Sequence, residues 1–195
     1  MRIFHRPGAG RPIRVIWTLE EVGAPYELVI MSAEEVAGEH RSRHPLGRVP
    51  VLEDDEGTVF ESTGLCLHVA ELHPGAGLVP AVGTHDRALV YQWAFFAMTE
   101  IEPAAVESRR TREQSPAIAD AAAERARAAV AVIGQALAGS EYLVADRFSV
   151  ADITASEVIR LCARVGALEP AGRIADYLSA TQARPARQRA AARFA

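Results

Sequence analysis

The sequence predicts an α/β domain followed by an all-α domain. Short apolar runs alternate with stretches of helical spacing over residues 1–74, whereas residues 85–195 have a helical composition almost throughout. The Gly- and Pro-rich stretch Pro74–Gly83 lies between them and is typical of a linker. We therefore predict an α/β domain over residues 1–75, a linker over residues 76–84 and a helical domain over residues 85–195.

The first half begins with a β-α-β unit. Arg2–His5 is an apolar run that predicts a strand, and Pro12 suits the first turn of a helix, where its missing N–H costs nothing. Helical spacing then continues to Gly23, which predicts the end of the helix. Tyr26–Met31 predicts the second strand, and the crossover implies that the two strands are parallel.

A β-β-α unit follows after a gap. Val49–Glu53 and Thr58–Phe60 predict two short strands around an acidic turn, which makes them an antiparallel hairpin. Thr63–Leu72 predicts the closing helix. A mixed sheet with flanking helices in this order is the thioredoxin-like pattern.

Helical periodicity dominates the second half. The predicted helices are Asp86–Ser108, Pro116–Leu137, Ser149–Val165 and Arg173–Ala183. Ser149 and Asp152 are spaced as a capping box, in which each side chain satisfies a free N–H group at a helix start.

Composition excludes several classes of protein. The 195 residues carry a formal charge of −4, which argues against a general nucleic-acid binder. The arginines near the C-terminus are interpreted as cations on a solvated tail; they are Arg184, Arg187, Arg189 and Arg193. No apolar run reaches the roughly 18 residues that a membrane span needs. All 21 basic residues are Arg, so a permanently cationic contact to an anion must be an Arg.

The cysteines and histidines indicate no disulfide framework and no metal site. Cys66 and Cys162 form no CxxC pair, which favours buried thiols in a reducing compartment. His68, His73 and His85 lack a matching ligand cluster. The strand pattern begins at Arg2 without a secretory apolar segment before it, and we expect a cytoplasmic protein without a metal.

Four signals stand out, namely residues 14–27, residues 44–52, the pair Glu61-Ser62 and the capping box at Ser149. Together they resemble the soluble glutathione transferase family, bacterial type, and the first of them resembles the family's first helix and following turn. The segment His44-Pro-Leu-Gly-Arg-Val-Pro-Val-Leu resembles its Asn-Pro-x-Gly-Lys-Val-Pro-x-Leu motif, and Glu61-Ser62 resembles its acidic residue–Ser pair. The capping box at Ser149 resembles the signal that opens a long helix of the family's all-helical domain. The resemblance covers essentially the whole chain and implies the glutathione transferase architecture.

The resemblance implies how glutathione is held. The family's Val-Pro bond is cis, which would let the backbone of Val49, before Pro50, pair with the cysteinyl unit of glutathione. Ser62 at a helix N-terminus suits the γ-glutamyl carboxylate, and Glu61 suits the ammonium group. Arg48, where the family often has Lys, suits a carboxylate. Plain helix capping by Ser62 and a solvated Arg48 are the structural alternatives.

The position that activates the glutathione thiol departs from the family pattern. The family places Tyr, Ser or Cys after the first strand, whereas the matching pair here is Gly10-Arg11. The backbone N–H groups of Gly10 and Arg11 at the helix start, or the Arg11 guanidinium, are expected to hold the thiolate. The His5 and Arg6 side chains at the strand end are a less favoured alternative, and a purely structural Gly10-Arg11 pair remains open.

The resemblance also implies a second substrate and a second subunit. We expect Trp93 and Phe96, on the first helix of the second domain, to line a site for a hydrophobic electrophile. Ordinary core packing is the alternative for each of them. Family members pair as two-fold dimers, so we expect a homodimer.

The function that follows is conjugation of the glutathione thiolate to small hydrophobic electrophiles, with a role in detoxification. Gly10 favours the alternative of a glutathione-binding or structural homologue without transfer activity. A glutathione-dependent peroxidase, dehalogenase or isomerase is the third reading. Glutathione is the expected co-substrate in the enzymatic readings, and no nucleic acid or membrane is expected as a partner.

Overall fold

The computed structural model describes residues 1–194, which divide into two compact units. The first unit runs from Met1 to Gly77 and also includes the segment from Arg184 onward. The second unit is Leu78–Ala183. The final segment of the chain therefore packs with the α/β unit, although the sequence division counted it with the helical domain.

The first unit is built on a mixed sheet of four strands. They are β1 (Arg2–His5), β2 (Glu27–Ile30), β3 (Val51–Asp54) and β4 (Gly57–Phe60). The strand order is β2-β1-β3-β4, with β1 parallel to β2 and the other two pairings antiparallel. This sheet confirms the predicted crossover and hairpin.

Helix α1 (Pro12–Val22) packs against this sheet and is buried along most of its length. It begins at a proline and ends at Gly23, whose left-handed φ of 67° lets its N–H donate to the Leu19 carbonyl. Every residue from Pro12 to Leu19 is buried. Such burial is typical of a helix covered on more than one side.

Two further helices complete the order β-α-β-α-β-β-α. Helix α2 (Ala33–Ala37) is short and opens on a capping box formed by Ser32 and Glu35. Helix α3 (Ser62–Leu72) follows β4 directly and corresponds to the predicted closing helix. Helix α2 was not predicted from the sequence, because five residues without a buried position give no apolar period to detect.

Among the strand bounds, the start of the hairpin's first strand differs most from the prediction. The hairpin's first strand was expected from Val49, but β3 begins at Val51. The bond between Val49 and Pro50 is cis, as the resemblance implied. Proline has no N–H to donate to a neighbouring strand, so regular pairing starts at Val51, the residue after Pro50.

The second unit is helical, as predicted. Its elements are α4 (His85–Phe96), a π-turn (Ala97–Ile101), α5 (Glu102–Thr111), α6 (Pro116–Ala136), α7 (Val150–Arg164) and α8 (Gly172–Gln182). The helix predicted over Asp86–Ser108 is thus interrupted by a π-turn, a local widening that simple periodicity does not reveal.

The predicted capping box is present at the start of α7 and belongs to a larger buried network. The Ser149 N–H donates to Asp152 Oδ2 at 2.9 Å. The same carboxylate accepts from the Ser149 hydroxyl at 3.0 Å, the Leu143 N–H at 3.0 Å and the Tyr177 hydroxyl at 3.0 Å. Asp152 and Tyr177 are fully buried, so one side chain ties α7 to α8 and to the preceding loop.

Helix α9 (Pro185–Ala192) packs along α1, which corrects the interpretation of a solvated arginine tail. Arg184 forms a two-pronged contact with Glu21, at 2.7 and 2.9 Å. Arg189 donates to Glu20 at 2.7 Å. The α1 carboxylates attract these arginines, and this pairing across most of the chain's length is invisible to local pattern analysis.

The remaining tail arginines also contact the first unit. The Arg187 guanidinium lies 5.8 Å from the Trp17 ring centre, and that of Arg193 lies 5.6 Å from the Tyr26 ring centre. Both distances are within the range of a cation–π interaction. All four arginines of the presumed tail are therefore engaged by side chains of the first unit.

Candidate functional site

Three segments that the sequence singled out leave the sheet of the first unit at one edge. In the antiparallel pairing of β1 with β3, Phe4 lies opposite Val51, and in that of β3 with β4, Val51 lies opposite Phe60. The loop after β1, the residues before β3 and the residues after β4 therefore emerge side by side. Ligands of open α/β sheets commonly bind at such an edge.

The middle segment contains the cis Val49-Pro50 bond, and a hydrogen bond from a buried histidine holds it in place. Nε2 of His40 lies 2.8 Å from the Arg48 carbonyl oxygen, so the imidazole N–H donates to it. His40 is fully buried. The Arg48 side chain is exposed, whereas Val49 and Pro50 are buried, so the anchored turn presents a cation next to a fixed backbone. This role of His40 was not predicted from the sequence.

His44 explains one departure from the family motif, which has Asn at this position. Nδ1 of His44 accepts the Leu46 N–H at 3.1 Å, a bond to the backbone two residues on that an Asn side chain also makes. Its ring lies 4.5 Å from the Phe60 ring. Burial lowers the pKa of His44, and the nearby Glu61 carboxylate acts in the opposite direction. A neutral imidazole keeps Nδ1 available as an acceptor.

The third segment is Glu61-Ser62, at the N-terminus of α3. Glu61 has a positive φ of 78°, which is unusual for a residue other than glycine and costs backbone energy. Its carbonyl still accepts the first helical bond, from the Leu65 N–H at 2.8 Å. The Glu61 side chain is exposed, and Ser62 is buried at the positive end of the helix.

A buried arginine that the sequence analysis did not assign lies behind Ser62. Nη1 of Arg14 donates to the Ser62 hydroxyl oxygen at 3.3 Å, and Arg14 is 3% exposed. The Thr18 hydroxyl donates to the Arg14 carbonyl one helical turn on. An arginine within the apolar row of α1 was the available signal, because buried cations are rare unless another group engages them.

The thiol of Cys66 next to this cluster is poorly suited to act as a nucleophile. Burial raises the pKa of Cys66 to about 11, although the Thr18 hydroxyl and the Arg14 charge act in the opposite direction. Burial likewise raises the pKa of Cys162, in the second unit, to about 12. Both cysteines are free and buried, which confirms the expectation of buried thiols.

The first segment is the loop after β1, which contains Gly10 and Arg11. Arg11 has helical backbone angles and directly precedes α1, and the Arg14 N–H donates to its carbonyl at 3.2 Å. Both Gly10 and Arg11 are exposed. The loop thus presents backbone N–H groups and a guanidinium at the positive end of a long helix, an arrangement suited to an anion.

The two predicted electrophile-site residues lie in the second unit, apart from these segments in the chain. Trp93 and Phe96 are on α4, with their ring centres 5.8 Å apart in an edge-on arrangement. Both are partly exposed rather than core residues. The π-turn that begins at Ala97 follows them directly, and π-turns are frequent at functional sites. Their contact with a substrate stays a prediction.

Residues 1–194 contain neither a candidate metal cluster nor a candidate membrane-spanning helix. Within that range we find no cluster of three or more His, Cys, Asp or Glu side chains arranged to hold a metal ion. The same range contains no helix with the length and apolar character needed to span a bilayer.

Comparison with known proteins identifies the family. The N-terminal domain model of glutathione S-transferases matches residues 1–71, and the C-terminal domain model matches residues 85–184. Glutathione S-transferase 4 of Zea mays is 32% identical over 154 residues, which are 72% of this chain and 68% of that protein.

Solved structures agree in fold over the whole chain. The ternary complex of BphK, a bacterial GST, has a TM-score of 0.88 at 25% identity and covers 100% of this chain and 99% of its own. A sphingomonad glutathione S-transferase complexed with glutathione has a TM-score of 0.84 at 29% identity, covering 100% and 98%. These matches confirm the predicted fold class and the resemblance stated from the motifs. The chain belongs to the glutathione S-transferase family.

Proposed function

We propose that the protein binds glutathione at the sheet edge of its first unit and conjugates the thiolate to small hydrophobic electrophiles. The observation that carries the proposal is the convergence at this edge of the cis Val49-Pro50 turn and the α3 N-terminus. A glutathione S-transferase of similar structure was solved with glutathione bound, which supports the choice of ligand.

Each part of glutathione has a suitable partner in the proposed site. The backbone of Val49 would pair with the cysteinyl unit as an added strand does. Ser62, with the Arg14 guanidinium 3.3 Å behind its hydroxyl, would receive the γ-glutamyl carboxylate. Glu61 would meet the ammonium group, and Arg48 would meet a carboxylate.

The proposed chemistry is nucleophilic attack by the glutathione sulfur. A free thiol has a pKa of about 8.5, so the enzyme must hold the thiolate to supply a nucleophile at neutral pH. The N–H groups of Gly10 and Arg11 and the Arg11 guanidinium would do so in place of a hydroxyl. Trp93 and Phe96 would contact the apolar electrophile.

Conjugation of a chloronitrobenzene tests the proposal. We expect glutathione-dependent formation of the aryl thioether, with displacement of chloride. Arg11→Ala is expected to lower kcat at neutral pH by about tenfold, the effect of one pKa unit at the thiol. The second candidate is a glutathione-binding protein without transfer chemistry, and the missing hydroxyl at Gly10 is the observation that favours it. Binding of glutathione without turnover of chloronitrobenzenes, hydroperoxides or haloalkanes would support this second candidate.

The proposal extends to assembly and location. Leu46, Val59 and Phe60 expose 61%, 40% and 38% of their surface on the first unit, and such apolar exposure supports a homodimer contact there. Light scattering is expected to give twice the chain mass, and Val59→Glu to shift it toward the monomer. The two free thiols support a reducing, cytoplasmic location, and the proposed conjugation of hydrophobic electrophiles would suit a detoxification role.

A further inference from the structure

The last residue of β1 carries a buried polar atom that the fold leaves without a partner. His5 is 4% exposed, and its Nδ1 has no hydrogen-bond partner among residues 1–194. Its ring packs edge-on against Phe194, with the ring centres 4.4 Å apart. Buried polar atoms are nearly always paired, so an orphaned imidazole nitrogen calls for a functional explanation.

The position of His5 links this nitrogen to the proposed glutathione site. On one side, His5 pairs with Ile30 of β2. On the other side, the pairing of β1 with β3 ends at Phe4 and Val51, and continuing it by one residue places Pro50 opposite His5. His5 therefore lies in the same row of the sheet as Pro50 of the cis turn, at the start of the loop that leads to Gly10 and Arg11.

The charge state of His5 suits a proton acceptor. Burial lowers the pKa of His5, and the positive charge of Arg6 lowers it further. The residues that the strand pairing and the ring contact place beside it, Ile30, Pro50 and Phe194, carry no charge. The imidazole is therefore neutral at neutral pH, and in the tautomer protonated at Nε2 its Nδ1 presents a lone pair.

The residues of the loop do not offer such a lone pair. Gly10 has no side chain, and the Arg11 guanidinium donates hydrogen bonds but cannot take up a proton. These groups can stabilise a thiolate once it exists, yet the thiol proton still needs a destination.

We propose that Nδ1 of His5 accepts the thiol proton of bound glutathione, which makes His5 a catalytic residue. This inference rests on the proposed function. The S–H bond breaks, an N–H bond forms at Nδ1, and the electron pair stays on sulfur. The thiolate then attacks the electrophile, and the imidazolium releases its proton to water. Attraction between thiolate and imidazolium offsets the burial that disfavours the charged ring, as in cysteine–histidine pairs.

The first test compares His5→Asn with the wild-type protein. Asn keeps a polar amide of similar size but has no basic nitrogen. His85→Asn, at an exposed position in the second unit, is the matched control. Binding of S-methylglutathione, which has no thiol proton, reports whether the site is intact. We expect His5→Asn to bind it within about twofold of the wild type, because this ligand has no thiol proton for His5 to accept. A twofold change corresponds to less than about 1 kcal/mol of binding free energy.

The decisive readout is the ultraviolet absorbance of the thiolate of bound glutathione against pH. In His5→Asn we expect the thiol pKa to rise toward about 8.5, the free value, and kcat at neutral pH to fall at least about tenfold. The rate is expected to recover above the pKa of the free thiol, where no acceptor is needed. A structural role for His5 would not produce this recovery.

A second measurement needs no variant and decides the matter if His5→Asn does not fold. In the wild-type protein, glutathione is expected to move the His5 ring signals in nuclear magnetic resonance toward the imidazolium form, and S-methylglutathione is not. Unchanged ring signals with glutathione bound, or an equally lowered thiol pKa in His5→Asn, would overturn the assignment of His5 alone. Absence of glutathione binding by the wild type would instead overturn the proposed function.

Discussion

Replacing Asp152 by Ala removes the acceptor that four buried donors share. The carboxylate accepts from the Leu143 N–H, the Ser149 N–H and hydroxyl, and the Tyr177 hydroxyl, at 2.9 to 3.0 Å. Each buried donor left unpaired costs about 1 kcal/mol or more. The free energy of unfolding should therefore fall by about 4 kcal/mol, a large part of the stability of an ordinary domain.

The assay is urea denaturation followed by circular dichroism. Asp152→Asn keeps one acceptor oxygen and should lose about half as much as Asp152→Ala. Asp120→Ala is the control, because this carboxylate pairs with Arg112 on the surface with 69% of its side chain exposed. Exposed pairs are worth about 0 to 1 kcal/mol. A loss below about 1 kcal/mol in Asp152→Ala would refute the reasoning that this network holds α7 to α8.

Three further predictions concern the first unit and the thiols. Glu21→Gln weakens the two-pronged contact with α9, and it should lower the free energy of unfolding by about 2 kcal/mol in urea, since the carboxylate is only 11% exposed. His40→Leu should weaken glutathione binding about tenfold by calorimetry, because the Arg48 carbonyl loses its donor; His40→Gln, which can still donate, should bind nearly as the wild type does. Cys66 and Cys162 should resist a disulfide reagent in the native protein and react in urea, because burial raises the pKa of both thiols.

The elements that the sequence predicted well are those with strong local signals. Helix α1 has a proline at its start, an apolar period and a glycine at its end, and β1 was placed at its observed bounds. The α7 capping box was recognised from two residues three apart. In each case neighbouring residues determine the local structure, so a pattern over a few positions is sufficient.

The features that were missed depend on contacts between distant segments. Helix α9 pairs with α1 through Arg184 and Glu21, which lie 163 positions apart. The same applies within the candidate site, where Arg14 meets Ser62 across 48 positions. No periodicity carries such information, because a charged side chain in a sequence looks the same whether it faces solvent or a buried partner.

The candidate site itself was predicted through motifs rather than geometry. The segments around Val49-Pro50 and Glu61-Ser62 were found by resemblance, and the strand register explains why they lie at one edge. From the sequence His5 was only a less favoured alternative for contacting the thiolate, since only the structure shows that its Nδ1 is buried without a partner among residues 1–194. A histidine at a strand end gives no indication of this from sequence alone.

The central claim is that this sheet edge binds glutathione and activates its thiol without a hydroxyl or thiol side chain at Gly10. Titration of the thiolate absorbance of glutathione bound to the wild-type protein tests it most directly. We predict an apparent thiol pKa at least about one unit below the value of about 8.5 for the free thiol. Binding with an unshifted thiol pKa would contradict the proposed activation, and absence of binding would contradict the site as a whole.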